Sequence, residues 1–364
     1  MLVARTLTVA MDRVTGLLNQ MKLSPGGLAE LMRRNKAATA ASFAALTALT
    51  FCSGPFARRV CDRRIEHTPS DCLVLITGCD SGMGADMAIK LHSMGYKVIA
   101  LCLTEAGAHD LEGKVFKTMT GDVTKEKDVA RIDALINTTL QNPDFPNLKL
   151  WAVVNNAGIA PCGFTDWLDM NTIKKVMDVN YFGVVAVTKT CMPFLQKTRG
   201  SRVIMISSLA GVASGPHLGA YSASKHALEG WTKALRNELA PFGVAVCNVN
   251  SGFLRTPLIN SSLEAGLSLY RKEGVHRELY NEEMVHDMAT RVKGISENPS
   301  VVIDLVCHYL ITHTNPPLRN FAGWQAFAMR WMLMLPQSLI DFANDIMTPL
   351  KVNRALISSM QQKK

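Results

Sequence analysis

The sequence has almost none of the cysteine spacing that marks a metal-binding or disulfide-rich protein. Its nine cysteines are scattered and odd in number, and no C-x-x-C pair occurs among them. Several stand within apolar runs, as Cys102 does in VIALCL. Such cysteines are typical of small buried side chains in a protein of a reducing compartment. We therefore predict neither a metal site nor a disulfide framework.

Charge is also sparse, because 19% of the residues are charged and 48% are hydrophobic. This balance excludes general disorder, and 364 residues are enough for one large α/β domain with extensions. The formal net charge of +9 is compatible with an anionic partner. However, the basic residues form no long run and no ladder with aromatic side chains, so we exclude nucleic acid as a partner.

Acidic residues are scarce at the start of the first segment, residues 1–70, where Asp12 and Glu30 are the only ones before Lys36. An uncharged run, Ala37–Phe56, follows and has basic residues on both sides. This run is about long enough to span the hydrocarbon core of a bilayer, so we predict a membrane anchor. An acid-poor, basic leader is also typical of mitochondrial transit peptides, so a cleaved targeting segment is the alternative.

Short apolar runs alternate with helical stretches in the second segment, residues 71–256. The predicted strands are Cys72–Thr77, Lys97–Leu103, Val115–Met119, Leu150–Asn155, Arg202–Ser207 and Val244–Val249. Because these runs are apolar throughout, both faces of the sheet should be covered. We therefore predict an α/β fold with a doubly wound parallel sheet, right-handed crossovers and helices on both faces.

The alternation ends in the third segment, residues 257–364. Residues 259–299 are charged and partly helical, which is typical of an insertion that covers a substrate. The apolar stretch 321–346 is interrupted by Arg330 and Pro336, which argues against a membrane span. We predict a C-terminal apolar helical extension at a lipid or substrate surface. A last strand and helix that close the core are the alternative.

A glycine-rich turn, TGCDSGMG at residues 77–84, separates the first predicted strand from the first helix. Glycines let backbone N–H groups approach a pyrophosphate at a helix N-terminus, so this position predicts a dinucleotide site. Asp80 lies within the turn and would repel a 2′-phosphate, and the end of the second strand offers no basic residue. We therefore predict NAD(H) as the cofactor rather than NADP(H).

Four further residues are candidates for catalysis. Tyr221 and Lys225 are four residues apart at the start of a predicted helix and should share a face. An adjacent ammonium and an oxidised nicotinamide should lower the phenol pKa from about 10, so that Tyr221 can exchange a proton with an alcohol as hydride leaves. Ser208 ends the fifth strand, where doubly wound sheets bind ligands, and could hold the substrate oxygen. Asn180 is a poor helix former within a helical stretch.

Together these residues resemble the short-chain dehydrogenase/reductase superfamily, from about residue 72 to residue 256. The resemblance implies a Rossmann-type fold and a catalytic tetrad of Asn180, Ser208, Tyr221 and Lys225. The cofactor residues that it implies, besides Tyr221 and Lys225, are Gly78, Ser81, Gly82, Met83 and Gly84 in the phosphate loop, Asp122 and Val123 at the adenine, Asn155, Ala157 and Gly158 after the fourth strand, and Gly252 and Thr256 by the nicotinamide. One departure is Ser251, where the family commonly has proline, so we expect a looser turn or an altered cofactor affinity.

A narrower similarity covers TGCDSGMG, ALCLTEAGA, LWAVVNNAGI and the AGW of residues 322–324. These segments resemble the branch of retinol, hydroxysteroid and 3-hydroxybutyrate dehydrogenases. The resemblance implies NAD(H), a membrane location that favours the endoplasmic reticulum over the mitochondrion, and pairing into a homodimer or homotetramer. The leading hypothesis is therefore an enzyme that acts on an alcohol of a lipophilic retinoid or steroid-like substrate.

Two other functions are alternatives to this hypothesis. A mitochondrial 3-hydroxybutyrate dehydrogenase would need a basic anchor for a small acid, and Arg271, Lys272, His276 and Arg277 are candidates for it. A non-catalytic dinucleotide sensor is the second alternative, although the intact set of Tyr, Lys, Ser and Asn argues against it.

Overall fold

A parallel β-sheet forms the centre of the fold in the computed structural model, which describes residues 65–271, 282–313 and 316–334. Its strands are β1 (Cys72–Thr77), β2 (Lys97–Cys102), β3 (Lys117–Thr120), β4 (Lys149–Asn155), β5 (Arg202–Ile206), β6 (Ala245–Ser251) and β7 (Arg319–Ala322). They lie in the order β3-β2-β1-β4-β5-β6-β7, and neighbouring strands are parallel. The direction of winding reverses between β1 and β4, which places a crevice at the carboxyl ends of these strands.

Helices cover both faces of the sheet. They are α1 (Gly82–Ser93), α2 (Glu105–Asp110), α3 (Glu126–Leu140), α4 (Met170–Met177), α5 (Val184–Gln196), α6 (Gly219–Leu239), α7 (Pro257–Arg271), α8 (Glu282–Ile295), α9 (Ser300–Asp304) and α10 (Trp324–Met332). In β1, Val74 belongs to one apolar cluster with Leu91 of α1, whereas Leu73 belongs to a second cluster with Ile132 of α3. The prediction of a doubly wound α/β fold is therefore confirmed.

The six predicted strands are confirmed, with shifts of one or two residues at their ends. The seventh strand, β7, comes from the tail of the chain and pairs Ala322 with Ser251 of β6. A last strand and helix at the end of the core, the alternative for this stretch, are thereby confirmed for residues 319–332. Residues 335–364, which include the rest of the predicted C-terminal extension, lie outside the described residues.

The predicted membrane anchor at residues 37–56 also lies outside the described residues, as does nearly all of the first segment. Within the part of the chain that the structure does describe, no helix combines the length and the hydropathy needed to cross a membrane. The seven cysteines of this part are buried, as the sequence predicts for small core side chains.

Candidate active site

A cavity of about 1530 Å³ lies at the carboxyl edge of the sheet, between the strand ends and helices α7, α8 and α10. Fourteen of the predicted site residues line it: Gly78, Asp80, Ser81, Gly82, Met83, Asp122, Val123, Ala157, Gly158, Ser208, Tyr221, Lys225, Gly252 and Thr256. The remaining three do not line the cavity: Gly84 packs against Gly78, Asn180 bonds to the backbone of Ile159, and Asn155 is buried at the end of β4.

The glycine turn owes its shape to close backbone packing. Gly78 has a φ of +70°, and a Cβ atom there would lie 2.7 Å from the Cα of Ala157. A Cβ atom at Gly84 would collide with the carbonyl oxygen of Gly78. The N-cap residue of α1, Ser81, makes no side-chain capping bond. The first-turn N–H groups of α1 therefore remain available to an anion at the edge of the cavity.

Asp80 ties the glycine turn to the end of β2. Its carboxylate accepts hydrogen bonds from the backbone N–H of Leu103 (2.7 Å) and from the backbone N–H and hydroxyl of Thr104 (2.8 and 2.7 Å). Gly107 in α2 permits this approach, since a Cβ atom there would lie 2.8 Å from the Cα of Asp80. A negative charge therefore stands at the end of β2, where folds of this kind bind the adenosine ribose.

The two asparagines after β4 have different surroundings. Asn155 is buried, and its side-chain amide donates to the hydroxyl of Thr188 at 3.0 Å. Asn156 lines the cavity, and its amide donates to the carbonyl oxygens of Thr77 (3.0 Å) and Gly78 (2.9 Å). Asn156 is the first residue after β4, at the carboxyl edge of the sheet where ligands bind, and that position was its signal in the sequence. Asn156 is thus a site residue that the sequence analysis missed.

Three of the four predicted catalytic residues meet at the carboxyl end of β5. Helix α6 carries Tyr221 and Lys225 one turn apart, with the Lys225 Nζ atom 5.7 Å from the centroid of the Tyr221 ring. The Ser208 side chain interacts with the Tyr221 side chain, and this interaction favours the ionised phenol. Lys225 donates to the carbonyl oxygen of Ile206 at 2.8 Å. This arrangement holds a phenol, a hydroxyl and an ammonium beside the glycine turn.

Asn180 lies behind these residues, in a π-helical turn between α4 and α5. Its Oδ1 atom accepts from the backbone N–H of Ile159 (2.9 Å), and its amide donates to the Ile159 carbonyl (2.8 Å) and to the hydroxyl of Ser224 (3.0 Å). Ser224 in turn donates to the Tyr221 carbonyl at 2.7 Å. One buried side chain therefore fixes the segment after β4 against the first turn of α6.

Comparison with known proteins decides the family. The profile of the family described as short chain dehydrogenase matches residues 72–265. The chain belongs to the short-chain dehydrogenase family. Retinol dehydrogenase 16 of Rattus norvegicus is 35% identical over 292 residues, which cover 77% of this chain and 90% of the relative. The 17-beta-hydroxysteroid dehydrogenase type 6 of Homo sapiens is 33% identical over 293 residues, with 77% and 90% covered.

Solved structures of short-chain dehydrogenases have the same fold. One from Streptomyces avermitilis aligns with a TM-score of 0.58 at 24% identity, covering 80% of this chain and 96% of that protein. An actinorhodin polyketide ketoreductase with NADPH aligns with a TM-score of 0.53 at 30% identity, covering 68% and 92%. As a member of this family the protein is an oxidoreductase, and the family binds a nicotinamide dinucleotide.

Burial governs the electrostatics of this short-chain dehydrogenase site. Desolvation raises the pKa of Tyr221 to about 12, and the interaction with Ser208 opposes that rise. Desolvation also lowers the pKa of Lys225 to about 8, and the negative charge of Glu229 partly opposes this lowering. The predicted lowering of the phenol pKa is therefore absent from the protein alone, because loss of water outweighs the neighbouring groups. A neutral phenol beside a partly charged lysine is suited to donating a proton.

A buried carboxylate that the sequence analysis missed supports the catalytic residues of the short-chain dehydrogenase. Glu229 accepts from the Ser207 hydroxyl (2.7 Å), the Asn250 amide (2.7 Å) and the Arg319 guanidinium (2.8 Å). The Asn250 amide also donates to the Ser208 carbonyl at 3.1 Å. The group thus joins β5, β6, β7 and α6. Its sequence signal is a Glu four residues after the lysine, on the same helix face.

The turn after β6 is held by contacts on both sides of Ser251 and Gly252. Ser251 is the last residue of β6, pairs with Ala322 of β7 and is buried. The next residue, Gly252, packs against the side chain of Gln325, whose Oε1 accepts from the backbone N–H of Phe253 at 3.2 Å. Strand pairing and this glutamine therefore hold the turn, and the expected effect of Ser251 on the turn or on cofactor affinity stays a prediction.

Proposed function

We propose that the protein is an NAD(H)-dependent dehydrogenase that interconverts an alcohol and a carbonyl on a lipophilic retinoid or steroid-like substrate. The observation that carries this proposal is the position of Tyr221. Its side chain interacts with Ser208, stands one turn from Lys225 and lines the same cavity as the glycine turn. Relatives at 33–35% identity are a retinol dehydrogenase and a hydroxysteroid dehydrogenase, which supports the substrate class.

In the proposed mechanism, the Ser208 hydroxyl binds the oxygen of the substrate and Tyr221 exchanges a proton with it. A nicotinamide held by the glycine turn would supply the hydride acceptor for the alcohol carbon, or the hydride donor for the carbonyl carbon in the reverse direction. Lys225 supplies positive charge beside the phenol and restores its proton, which is possible because its own pKa is about 8. Asn180 acts as a positioning residue, since its hydrogen bonds go to Ile159 and Ser224.

The remaining predicted residues are proposed to hold the cofactor. Backbone groups of Gly78, Ser81, Gly82 and Met83 would bind the pyrophosphate, with Gly84 allowing the turn. Asp122 and Val123 would contact the adenine. Ala157, Gly158, Gly252 and Thr256 would contact the nicotinamide half, with Asn155 supporting the strand end.

NAD(H) is preferred in this proposal because of Asp80. Its carboxylate stands at the end of β2, where a 2′-phosphate would meet like charge. The test is the affinity of the purified protein for NADH and for NADPH. Tighter binding of NADPH would overturn this part of the proposal.

A lipophilic substrate is supported by the outer half of the cavity, where α7, α8 and α10 contribute Leu258, Ile259, Ile295, Met329 and Met332. The basic residues considered as an anchor for a small acid are not tested, so the 3-hydroxybutyrate alternative stays a hypothesis. The side chain of Arg271 and residues 272–281 lie outside the described part of the chain.

Membrane association is proposed from the same region. Trp324 and Ile295 line the cavity and are exposed by 61% and 44%, and two further apolar residues in or just after α10, Phe327 and Met334, are exposed by 58% and 55%. A lipid surface would cover these side chains and deliver an apolar substrate to the cavity. We propose the endoplasmic reticulum membrane, and the mitochondrion as the alternative. Pairing of two or four copies is proposed through the α4–α5 region, where Met170 and Phe182 are exposed.

The decisive experiment is turnover of retinol, androstanediol and 3-hydroxybutyrate by purified protein with NAD. We expect oxidation of retinol or androstanediol. In Tyr221→Phe we expect turnover to fall by roughly 10²–10⁴-fold, the contribution of a general acid–base, with cofactor affinity nearly unchanged. Wild-type turnover in that variant would refute the mechanism. Binding of NADH without oxidation of any alcohol would favour the sensor.

A further inference from the structure

Gln325, the second residue of α10, holds the turn after β6 with both ends of its side-chain amide. Its Oε1 atom accepts from the backbone N–H of Phe253 at 3.2 Å, and its Nε2 atom donates to the carbonyl oxygen of the same residue at 3.3 Å. Nε2 also donates to the carbonyl oxygen of Ile295, at the end of α8, at 2.8 Å. One side chain therefore joins α8, α10 and the turn that follows β6.

The fit between Gln325 and this turn is close. A Cβ atom at Gly252 would lie 2.5 Å from the Oε1 atom of Gln325, so the amide can approach the turn only because residue 252 is glycine. Gln325, Gly252 and Phe253 line the cavity, and so does Thr256. The amide thus lies among the residues that are proposed to contact the nicotinamide half of the cofactor.

Glu297 fixes the start of α10 to the same turn. Its carboxylate accepts from the backbone N–H groups of Trp324 (2.9 Å) and Gln325 (3.2 Å) at the helix N-terminus, where negative charge is favourable. Its own backbone N–H donates to the carbonyl oxygen of Phe253 at 2.9 Å. The backbone of Gln325 is therefore held in place, and its side chain is directed at the turn.

The groups around the Gln325 side chain require an amide. The N–H of Phe253 needs an acceptor, whereas the carbonyl oxygens of Phe253 and Ile295 both need donors. A primary amide has an acceptor oxygen and two N–H donors, which match these groups. An ionised glutamate has the same shape but no donor, so it would place an oxygen against two carbonyl oxygens. The contact therefore depends on the chemistry of the side chain as well as on its size.

We propose that Gln325 is a positioning residue for the nicotinamide half of the cofactor and acts through Gly252 and Phe253. This inference rests on the proposed function, which places Gly252 and Thr256 beside the nicotinamide. The hydrogen bonds of the Gln325 side chain go to the turn after β6 and to α8, and not to the glycine turn that would bind the pyrophosphate. Loss of the amide should therefore weaken binding of the nicotinamide half alone.

The test compares NADH with ADP-ribose, which has the same adenosine and pyrophosphate but no nicotinamide. In Gln325→Glu we expect the dissociation constant for NADH to rise about tenfold, as the loss of one or two hydrogen bonds predicts, and that for ADP-ribose to stay as in the wild type. Because both ligands carry the pyrophosphate charge, simple repulsion by the new carboxylate would weaken both. Calorimetric titration measures both constants.

Two further variants complete the comparison. Gln325→Met keeps the length of the side chain without an amide or a charge, and should reproduce the selective loss of NADH affinity. Gln141→Glu adds the same charge at an exposed residue that follows α3, and should bind both ligands as the wild type does. Wild-type affinity for NADH in a folded Gln325→Met would overturn the proposal. An equal loss for NADH and ADP-ribose would also overturn it, because the residue would then serve the fold in general.

Hydrogen exchange in the wild type gives a measurement that needs no variant and decides if the Gln325 variants do not fold. NADH should slow exchange in the peptides that contain Phe253 and Gln325, whereas ADP-ribose should not. Equal protection by the two ligands would overturn the proposal. Protein that binds NADH but oxidises no alcohol would refute the proposed dehydrogenase activity and leave this test standing. Protein that does not bind NADH would refute both.

Discussion

Replacing Glu229 by alanine tests how the catalytic end of the sheet is held together. The substitution removes the acceptor of three hydrogen bonds, from Ser207, Asn250 and Arg319. Ser207 and Asn250 are buried and would lose that partner, whereas the Arg319 side chain is 46% exposed and can regain water. Breaking a fully buried ion pair costs about 3–5 kcal/mol. Because the arginine can be rehydrated, we expect a loss of roughly 2–3 kcal/mol, or a Tm lower by roughly 5–10 °C.

The same substitution should change catalysis through Lys225. Burial lowers the pKa of Lys225 to about 8, and the negative charge of Glu229 works against that lowering. Without the carboxylate the lysine should lose its proton at a lower pH. Turnover that requires the ammonium should therefore decline at a lower pH in the variant than in the wild type.

Two further variants separate these effects. Glu229→Gln keeps most of the shape and an acceptor oxygen but not the charge, so it should shift the pH–rate profile as alanine does while destabilising the protein less. Glu238→Ala removes an exposed carboxylate of the same helix and should change stability by less than about 0.5 kcal/mol. Thermal unfolding and the pH dependence of kcat/KM are the measurements. Wild-type values of both in Glu229→Ala would refute the reasoning.

Three more substitutions have definite expected results. Gly84→Ala should abolish cofactor binding, measured by NADH fluorescence, because the new Cβ atom collides with the turn; Gly294→Ala, with nothing within 4 Å, should bind normally. Asp80→Ser removes the negative charge at the end of β2, so it should strengthen NADPH binding relative to NADH binding. The ratio of the NADPH dissociation constant to the NADH dissociation constant should therefore fall, and an unchanged ratio would contradict this. Phe327→Glu should weaken binding to phospholipid vesicles, whereas Phe242→Glu, at an exposed residue outside the α10 region, should not.

Much of the fold follows from the sequence for a physical reason. Strands buried on both faces must be apolar throughout, so they appear as unbroken runs such as CLVLIT, and a turn without Cβ atoms must be rich in glycine. The strand β7 is harder to predict, because its four residues are too few to show a hydrophobic pattern in the sequence. Its pairing with β6 in the structure identifies it as a strand.

The sequence predicts which residues line the site, but it does not predict their pKa shifts or their buried charged partners. The motifs brought Ser208, Tyr221 and Lys225 to one place because they recur at fixed strand and helix ends. The sequence does not show how much water is excluded around a phenol, so it does not predict that burial raises the pKa of Tyr221 in the protein alone. The lowering predicted with a bound oxidised nicotinamide stays a prediction. Likewise, Glu229 appears in the sequence as an ordinary helical acid, and only the arrival of Arg319 from β7 shows its role.

The attachment of β7 has a consequence for how the chain can be divided. A fragment that stopped at residue 265, where the family profile stops, would keep every dinucleotide motif. It would nevertheless leave β6 as an open edge from Asn248 to Ser251, prone to pair with other chains. It would also leave the buried carboxylate of Glu229 without its ion-pair partner, the guanidinium of Arg319. The C-terminal stretch therefore stabilises the part of the sheet that positions the catalytic residues.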